Sequence, residues 1–135
     1  MPYVLRWEGY GVYRRFFGVV TSSEFREAYE QMTGDLRYEC ARYIISDYLE
    51  AEPGTDLTDT FVGRLEELAR LQYATGPDIV HATVAAGEKM LAHIQYFESL
   101  PLAPYPEATF STVDEARAWI ASNPRPAWRA AEPPE

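Results

Sequence analysis

The chain has 135 residues, of which 47% are hydrophobic, and a formal net charge of -9 from 21 acidic and 12 basic side chains. This length suffices for one domain with its own core, and the single cysteine, Cys40, excludes a disulfide framework. No apolar run reaches the ~18 residues of a membrane span, no signal-peptide pattern is present, and the negative charge argues against nucleic-acid binding, so a cytoplasmic protein is expected.

Two strand-like runs open the chain and predict an antiparallel hairpin. They cover residues 3–7 and 12–20, and the glycines of the intervening Glu8-Gly9-Tyr10-Gly11 suit a tight turn. Because Arg14 and Arg15 are adjacent in the second run, they should point to opposite faces of the sheet, where each needs solvent or an acidic partner.

A helix should follow the hairpin, and a buried strand should follow the helix. Thr21 and Glu24 form a capping-box pattern, and apolar side chains then recur at helical spacing until Gly34. The β-rich run 42–47 lacks alternation, which is typical of a central strand covered on both faces. Residues 49–56 predict an acidic loop, because Pro53-Gly54 interrupts regular structure.

The rest of the chain alternates between helical and strand patterns. The expected segments are, in order, a helix between Thr58 and Gly76, a strand at 79–85, a helix at 88–99, a strand at 108–110 and a helix at 112–122. This order predicts an α/β domain over residues 1–122, with a mostly parallel sheet, an antiparallel first strand and about four helices. Residues 123–135 form a proline-rich tail that is expected to be disordered. Its Trp128 either folds back onto the domain or docks to a partner.

Right-handed crossovers that all step the same way would place every helix on one face of the sheet, and the other face would then need a cover. The chain contains ten Tyr, six Phe and three Trp. An aromatic surface that associates with a second copy, giving a homodimer, is therefore predicted.

Several stretches resemble those of a known group of small bacterial proteins. They are residues 4–8, 11–20, 42–48, 104–106 and 115–119. Together they resemble the SpoIIAA-like proteins, which are related to STAS and CRAL-TRIO domains. The resemblance covers residues 3–121 and lies mainly in strand and cap residues. It implies the fold that anti-sigma-factor antagonists share with the lipid-binding CRAL-TRIO domain.

The resemblance implies two functions. Anti-sigma-factor antagonists are phosphorylated on a serine at the start of the helix that follows the central strand. The matching stretch here, 55–60, has no serine, so Thr58 is the candidate phosphosite, and simple capping of the helix is the competing interpretation. A CRAL-TRIO-like function would instead require a pocket for an apolar ligand, for which this chain is short.

Ligands of open α/β sheets gather at the carboxyl ends of the strands. Asp47, Tyr48, Glu88 and Ser111 should lie along that edge as a site for a ligand or a partner. In an enzyme, Asp47 and Glu88 would be the general acid and base beside Tyr48, but spacing places no nucleophile near them. A loop-capping role is the simpler interpretation of Asp47.

No metal or cofactor site is predicted. His81 and His93 are twelve positions apart without further ligands, Cys40 is the single thiol, and no glycine-rich phosphate loop is present. His81 is expected to be a partly buried histidine with a local hydrogen bond. The sequence thus favours a non-catalytic, STAS-like association or regulatory module with a regulatory protein as its partner.

Overall fold

A computed structural model of the chain describes residues 3–58, 60–61, 64, 79–99 and 107–122. Its elements are, in chain order, β1 (Tyr3–Glu8), β2 (Gly11–Val20), α1 (Ser22–Thr33), a 3-10 helix (Leu36–Cys40), β3 (Tyr43–Pro53), β4 (Val80–Val84), α2 (Glu88–Ser99), β5 (Glu107–Phe110) and α3 (Val113–Ser122). The predicted α/β class is confirmed, and the described residues contain three α-helices, where the sequence predicts about four in the whole chain. The helix predicted between Thr58 and Gly76 lies mostly outside the described residues, as does the tail 123–135.

The five strands form one mixed sheet in the order β1-β2-β3-β4-β5. β1 and β2 are antiparallel and the other neighbours are parallel, as the sequence predicts. Gly9 has a φ of 61° in the hairpin turn, a conformation that glycine adopts without strain. None of the described helices is long and apolar enough to cross a membrane.

The third strand is longer than the sequence indicates. The sequence predicts a loop for the acidic segment 49–56, but residues 49–53 continue β3. The reason is the neighbouring strand: Phe17 is paired with Glu50 and Val20 with Pro53, after a register shift that follows Arg15. Backbone hydrogen bonds to β2 thus outweigh the weak local preference of this segment for a strand.

Helices cover both faces of the sheet. α1 and α2 pack on one face, which we call the crossover face because both helices connect parallel strands. One apolar cluster on this face, which we call the upper apolar cluster, contains Tyr3, Phe16, Val20, Ala28, Tyr48, Ala85 and Met90. α3 follows the last strand and packs on the opposite face, the α3 face, so the expected cover of that face is supplied in part by the chain itself.

The α3 face contains an interaction that depends on Gly11. A Cβ atom added to Gly11 would lie 1.9 Å from Cζ of Tyr43, because the Tyr43 ring crosses the glycine. The Tyr43 hydroxyl donates to Oε1 of Glu8 at 2.9 Å, and Arg117 of α3 pairs with the same carboxylate at 2.7 and 3.1 Å.

We expect Gly11→Ala to displace the Tyr43 ring and to lower the free energy of unfolding by about 1–3 kcal/mol, as overpacking does. Urea unfolding measures this loss. Gly87→Ala is the matched control, because no atom lies within 4 Å of the added Cβ. Equal stability of the two variants would contradict the steric role of Gly11.

Candidate functional site

A row of polar side chains crosses the middle of the sheet on the crossover face. Arg14 of β2 is in register with Ser46 of β3, Ser46 with Thr83 of β4, and Thr83 with Thr109 of β5. Arg14, Ser46 and Thr83 are 7%, 0% and 4% exposed. The row separates the upper apolar cluster from a lower one, which contains Val12, Met32, Tyr38, Ala41, Ile44 and Ile79.

Hydrogen bonds connect Arg14 and Ser46 of this row to His81, and we call these three residues the buried relay. Nε and Nη2 of Arg14 donate to Oγ of Ser46 at 3.1 and 2.7 Å. The Ser46 oxygen also lies 2.8 Å from Nε2 of His81, whose Nδ1 is 3.8 Å from Oε2 of Glu107. Because two Arg14 nitrogens donate to the Ser46 oxygen, we infer that the Ser46 hydroxyl in turn donates to Nε2 of His81. This arrangement corresponds to the tautomer with its ring proton on Nδ1, on the side of Glu107.

The environment of His81 keeps its imidazole neutral. Burial and then the nearby charge of Arg14 lower the pKa of His81 from 6.5 to about 3. A neutral ring can accept the Ser46 proton, whereas an imidazolium would place a second buried positive charge near Arg14. His81 is thus more buried than the partial burial that the sequence predicts, and its hydrogen-bond partner, Ser46, is 35 positions away in the chain.

Acid is expected to destabilise the protein through His81. Its pKa is lower in the folded than in the unfolded chain, so the unfolded chain binds more protons between pH 6.5 and 3. The contribution of this group to stability is complete above pH 6.5 and decreases as the pH falls, by about 2 kcal/mol between pH 6.5 and 4.5. Urea unfolding at several pH values should show that the free energy of unfolding depends less on pH in His81→Gln than in the wild type. His93→Gln is the control, and an unchanged pH dependence in His81→Gln would contradict the assignment.

Ser46, His81 and Glu107 follow one another as the nucleophile, base and acid of a catalytic triad would. Their position, however, does not suit catalysis. Ser46 is fully buried in the middle of a strand, so a substrate cannot reach its hydroxyl in this conformation. A recess of about 140 Å³ lies elsewhere, beside the end of α3, and Tyr43, Arg117, Ile120 and Ala121 line it. That volume is small for an organic ligand, whose sites usually measure ~300–1,000 Å³.

The predicted edge residues Asp47 and Tyr48 lie on opposite faces of the sheet. The Asp47 carboxylate is on the α3 face, where it accepts hydrogen bonds from the Tyr13 hydroxyl and, at 3.0 Å, from the amide of Leu49. Burial and then Asp47 raise the pKa of Tyr13 to about 12. Tyr48 is on the crossover face, where its ring stacks on Phe16 at 5.0 Å. Both side chains serve internal contacts.

The other predicted site residues are exposed near the same end of the sheet. Glu88 is the first residue of α2. Ser111 follows β5 and donates to Oε1 of Glu115 at 2.9 Å. Thr58 accepts a hydrogen bond from the amide of Phe61 at 3.2 Å, the contact expected of a helix cap. Within the described segments, no hydrogen bond or ion pair joins Asp47, Tyr48, Glu88 and Ser111 to one another. Those segments also contain no group of side chains suited to a metal ion.

Similarity to solved structures identifies the architecture. The chain resembles the anti-sigma factor antagonist SpoIIAA in its unphosphorylated form with a TM-score of 0.56 and 14% identity, over 89% of this chain and 98% of that one. The fold is SpoIIAA-like. A second neighbour, with a TM-score of 0.52 and 11% identity, is an uncharacterised DUF3478 protein with a SpoIIAA-like fold from Shewanella loihica PV-4, matched over 87% of this chain and 91% of its own.

The phosphorylated form of SpoIIAA, the Bacillus cell fate determinant, is also similar, with a TM-score of 0.51 and 16% identity over 87% of this chain and 98% of that one. No family model and no curated protein matches the chain. At these identities the likeness shows the SpoIIAA-like fold alone, and it confirms the resemblance that the sequence predicts.

Proposed function

We propose that this chain is a cytoplasmic, STAS-like protein-association or regulatory module without catalytic activity. The observation that carries the proposal is the likeness to an anti-sigma factor antagonist, whose structure is known in unphosphorylated and phosphorylated forms. The chemistry of the described residues supports it. Two polar groups that an enzyme could use are not available to a substrate, because Ser46 is buried and the Asp47 carboxylate is occupied by internal hydrogen bonds.

The partner surface in this proposal is the edge at the carboxyl ends of β3, β4 and β5. Glu88, Ser111 and Thr58 are exposed there. Thr58 is the proposed phosphorylation site. Asp56, the nearest described carboxylate in the chain, is held by the amide and the hydroxyl of Ser22 at 3.0 and 2.7 Å. A phosphate on Thr58 would add up to two negative charges beside that carboxylate and replace the capping hydroxyl.

Affinity capture from the native host, combined with intact-mass measurement, tests the proposal. Thr58→Glu should reduce recovery of the specific partner by about 10-fold, which corresponds to ~1.4 kcal/mol of binding free energy. Gln31→Glu is the control, because it adds one negative charge at an exposed position near the C-terminal end of α1. Absence of any specific partner, together with an unphosphorylated protein under several growth conditions, would contradict the proposal.

A second copy of the chain is a further proposed partner. α3 packs against β3, β4 and β5, and Val4 of β1 remains 50% exposed on the same face. The guanidinium groups of Arg6 and Arg15 lie 4.8 and 5.5 Å from the centres of the neighbouring Tyr13 and Phe17 rings, respectively. Sedimentation velocity over a wide range of concentrations should show a dimer, and a strict monomer at high concentration would refute it.

A further inference from the structure

β3 extends beyond the strand beside it. It pairs with β2 as far as Pro53, but its pairing with β4 ends at Asp47, opposite Val84, the last residue of β4. Residues 48–53, which we call the β3 overhang, therefore have β2 on one edge and no strand of the described residues on the other. A segment of this length spans roughly 20 Å, and a free strand edge presents backbone N–H and C=O groups that can pair with another strand.

The turn that follows β4 does not continue the sheet beside the β3 overhang. The amide of Ala85 donates to the carbonyl oxygen of Phe110 at 3.0 Å, so this N–H group faces β5 rather than β3. Ala86, Gly87 and Glu88 are exposed, and a Cβ atom added to Gly87 would meet no described atom within 4 Å. Open space therefore borders the turn where a longer β4 would run.

The side chains around this free edge favour a basic partner strand. Leu49 is 43% exposed, and Glu50 and Glu52 of the β3 overhang are exposed as well. Arg15 pairs with Glu50. No ion pair of the described residues involves Glu52 or Glu88, which begins α2. A strand with Lys or Arg side chains would compensate these two charges, and its apolar side chains could contact the exposed leucine.

The same features disfavour the two occupants that this chain itself could supply. Two β3 overhangs paired edge to edge would bring Glu50 and Glu52 of both copies together, and like charges on adjacent strands are destabilising. The tail, 123–135, contains four prolines, which lack the N–H group that strand pairing requires. The free edge thus fits a segment of another protein.

We propose that the β3 overhang takes up an extended basic segment of a partner protein as an added β-strand. Backbone hydrogen bonds supply the affinity, and Lys or Arg side chains near Glu52 and Glu88 supply the selectivity. This inference rests on the proposed association function, because it names the chemistry of the partner at the carboxyl edge of the sheet.

A peptide of about eight residues that alternates Lys with Val is the probe. Calorimetric titration of the full chain should show saturable binding below about 1 mM peptide, and hydrogen exchange should show new protection within residues 48–52. Methylation of every backbone nitrogen keeps the charge of the peptide and should weaken binding by about 10-fold or more. No binding, protection at other residues alone, or equal binding of the methylated peptide would overturn the proposal.

Charge reversal at Glu52 separates strand addition from general attraction between a basic peptide and an acidic chain. Glu52→Lys should weaken peptide binding by about 10-fold, whereas Glu39→Lys, at an exposed residue of the 3-10 helix, should retain the affinity of the wild type. Equal losses in the two variants would overturn the proposal. A native partner recovered equally by the wild type and Glu52→Lys would overturn it and leave the association function intact, whereas recovery of no partner would contradict both.

Discussion

Replacing Phe16 with alanine is expected to lower the free energy of unfolding by about 3–5 kcal/mol, as the loss of a fully buried aromatic ring does. Phe16 is 0% exposed. Its ring stacks on Phe25 of α1 at 4.9 Å and on Tyr48 of β3 at 5.0 Å, and it lies 6.0 Å from the Tyr3 ring of β1. One side chain therefore joins three strands and a helix, and its removal leaves a cavity among rings that cannot collapse into it.

Urea unfolding of Phe16→Ala gives the size of this loss. Val19→Ala is the control on the same strand, because Val19 is 61% exposed and its truncation should change stability by less than about 0.5 kcal/mol. A loss below ~1 kcal/mol for Phe16→Ala would mean that the aromatic cluster does not hold the hairpin and α1 on β3.

Replacing Ser46 with alanine should have the second largest effect, about 2–3 kcal/mol of destabilisation. The variant leaves the Arg14 guanidinium buried without its hydroxyl acceptor and removes the hydrogen bond to His81. The double variant Arg14→Met with Ser46→Ala should recover part of this loss, because it also removes the buried charge.

Urea unfolding of the two single variants and the double variant forms a thermodynamic cycle for this contact. Ser111→Ala is the control, since Ser111 is an exposed serine whose bond to Glu115 lies outside the core. Additive effects of Arg14→Met and Ser46→Ala would contradict a direct contribution of this hydrogen bond to stability.

The local features of the fold could be predicted from the sequence because their signals are local. The capping box at Thr21 is present, with the Glu24 side chain bonded to the Thr21 amide at 2.8 Å. The hairpin and the order of the described strands and helices also follow the expectation. The extension of β3 to Pro53 could not be predicted, because it depends on hydrogen bonds to β2, which is distant in sequence.

The buried relay was not predicted for the same reason. Arg14, Ser46 and His81 are separated by 32 and 35 positions, and only the register of the sheet brings them together. One signal was available. The sequence predicts that the adjacent Arg14 and Arg15 lie on opposite faces, each with solvent or an acidic partner. Arg15 pairs with Glu50, whereas Arg14 donates to the neutral Ser46.

The predicted edge residues show a limit of the rule that ligands gather at the carboxyl ends of the strands. Asp47 and Tyr48 are adjacent in β3, so the alternation of side chains already implies opposite faces. The pairing of β3 with β4 ends at Asp47 and Val84, which places Asp47 on the side of the sheet where β4 ends and α2 follows, while β3 continues to Pro53. Residues at the same edge of a sheet need not contact one another. The hydrogen-bond partners of Asp47 and the stacking partner of Tyr48 depend on the folded structure.

Capture of binding partners with a charge-reversed edge tests the association function most directly. Glu88→Lys changes an exposed residue at the carboxyl end of the sheet, whereas Glu39→Lys makes the same change at an exposed residue of the 3-10 helix that precedes β3. We predict that Glu88→Lys lowers partner recovery by about 10-fold, ~1.4 kcal/mol, and that Glu39→Lys retains the recovery of the wild type. Equal recovery with both variants, or greater loss with Glu39→Lys, would contradict an association surface at this edge.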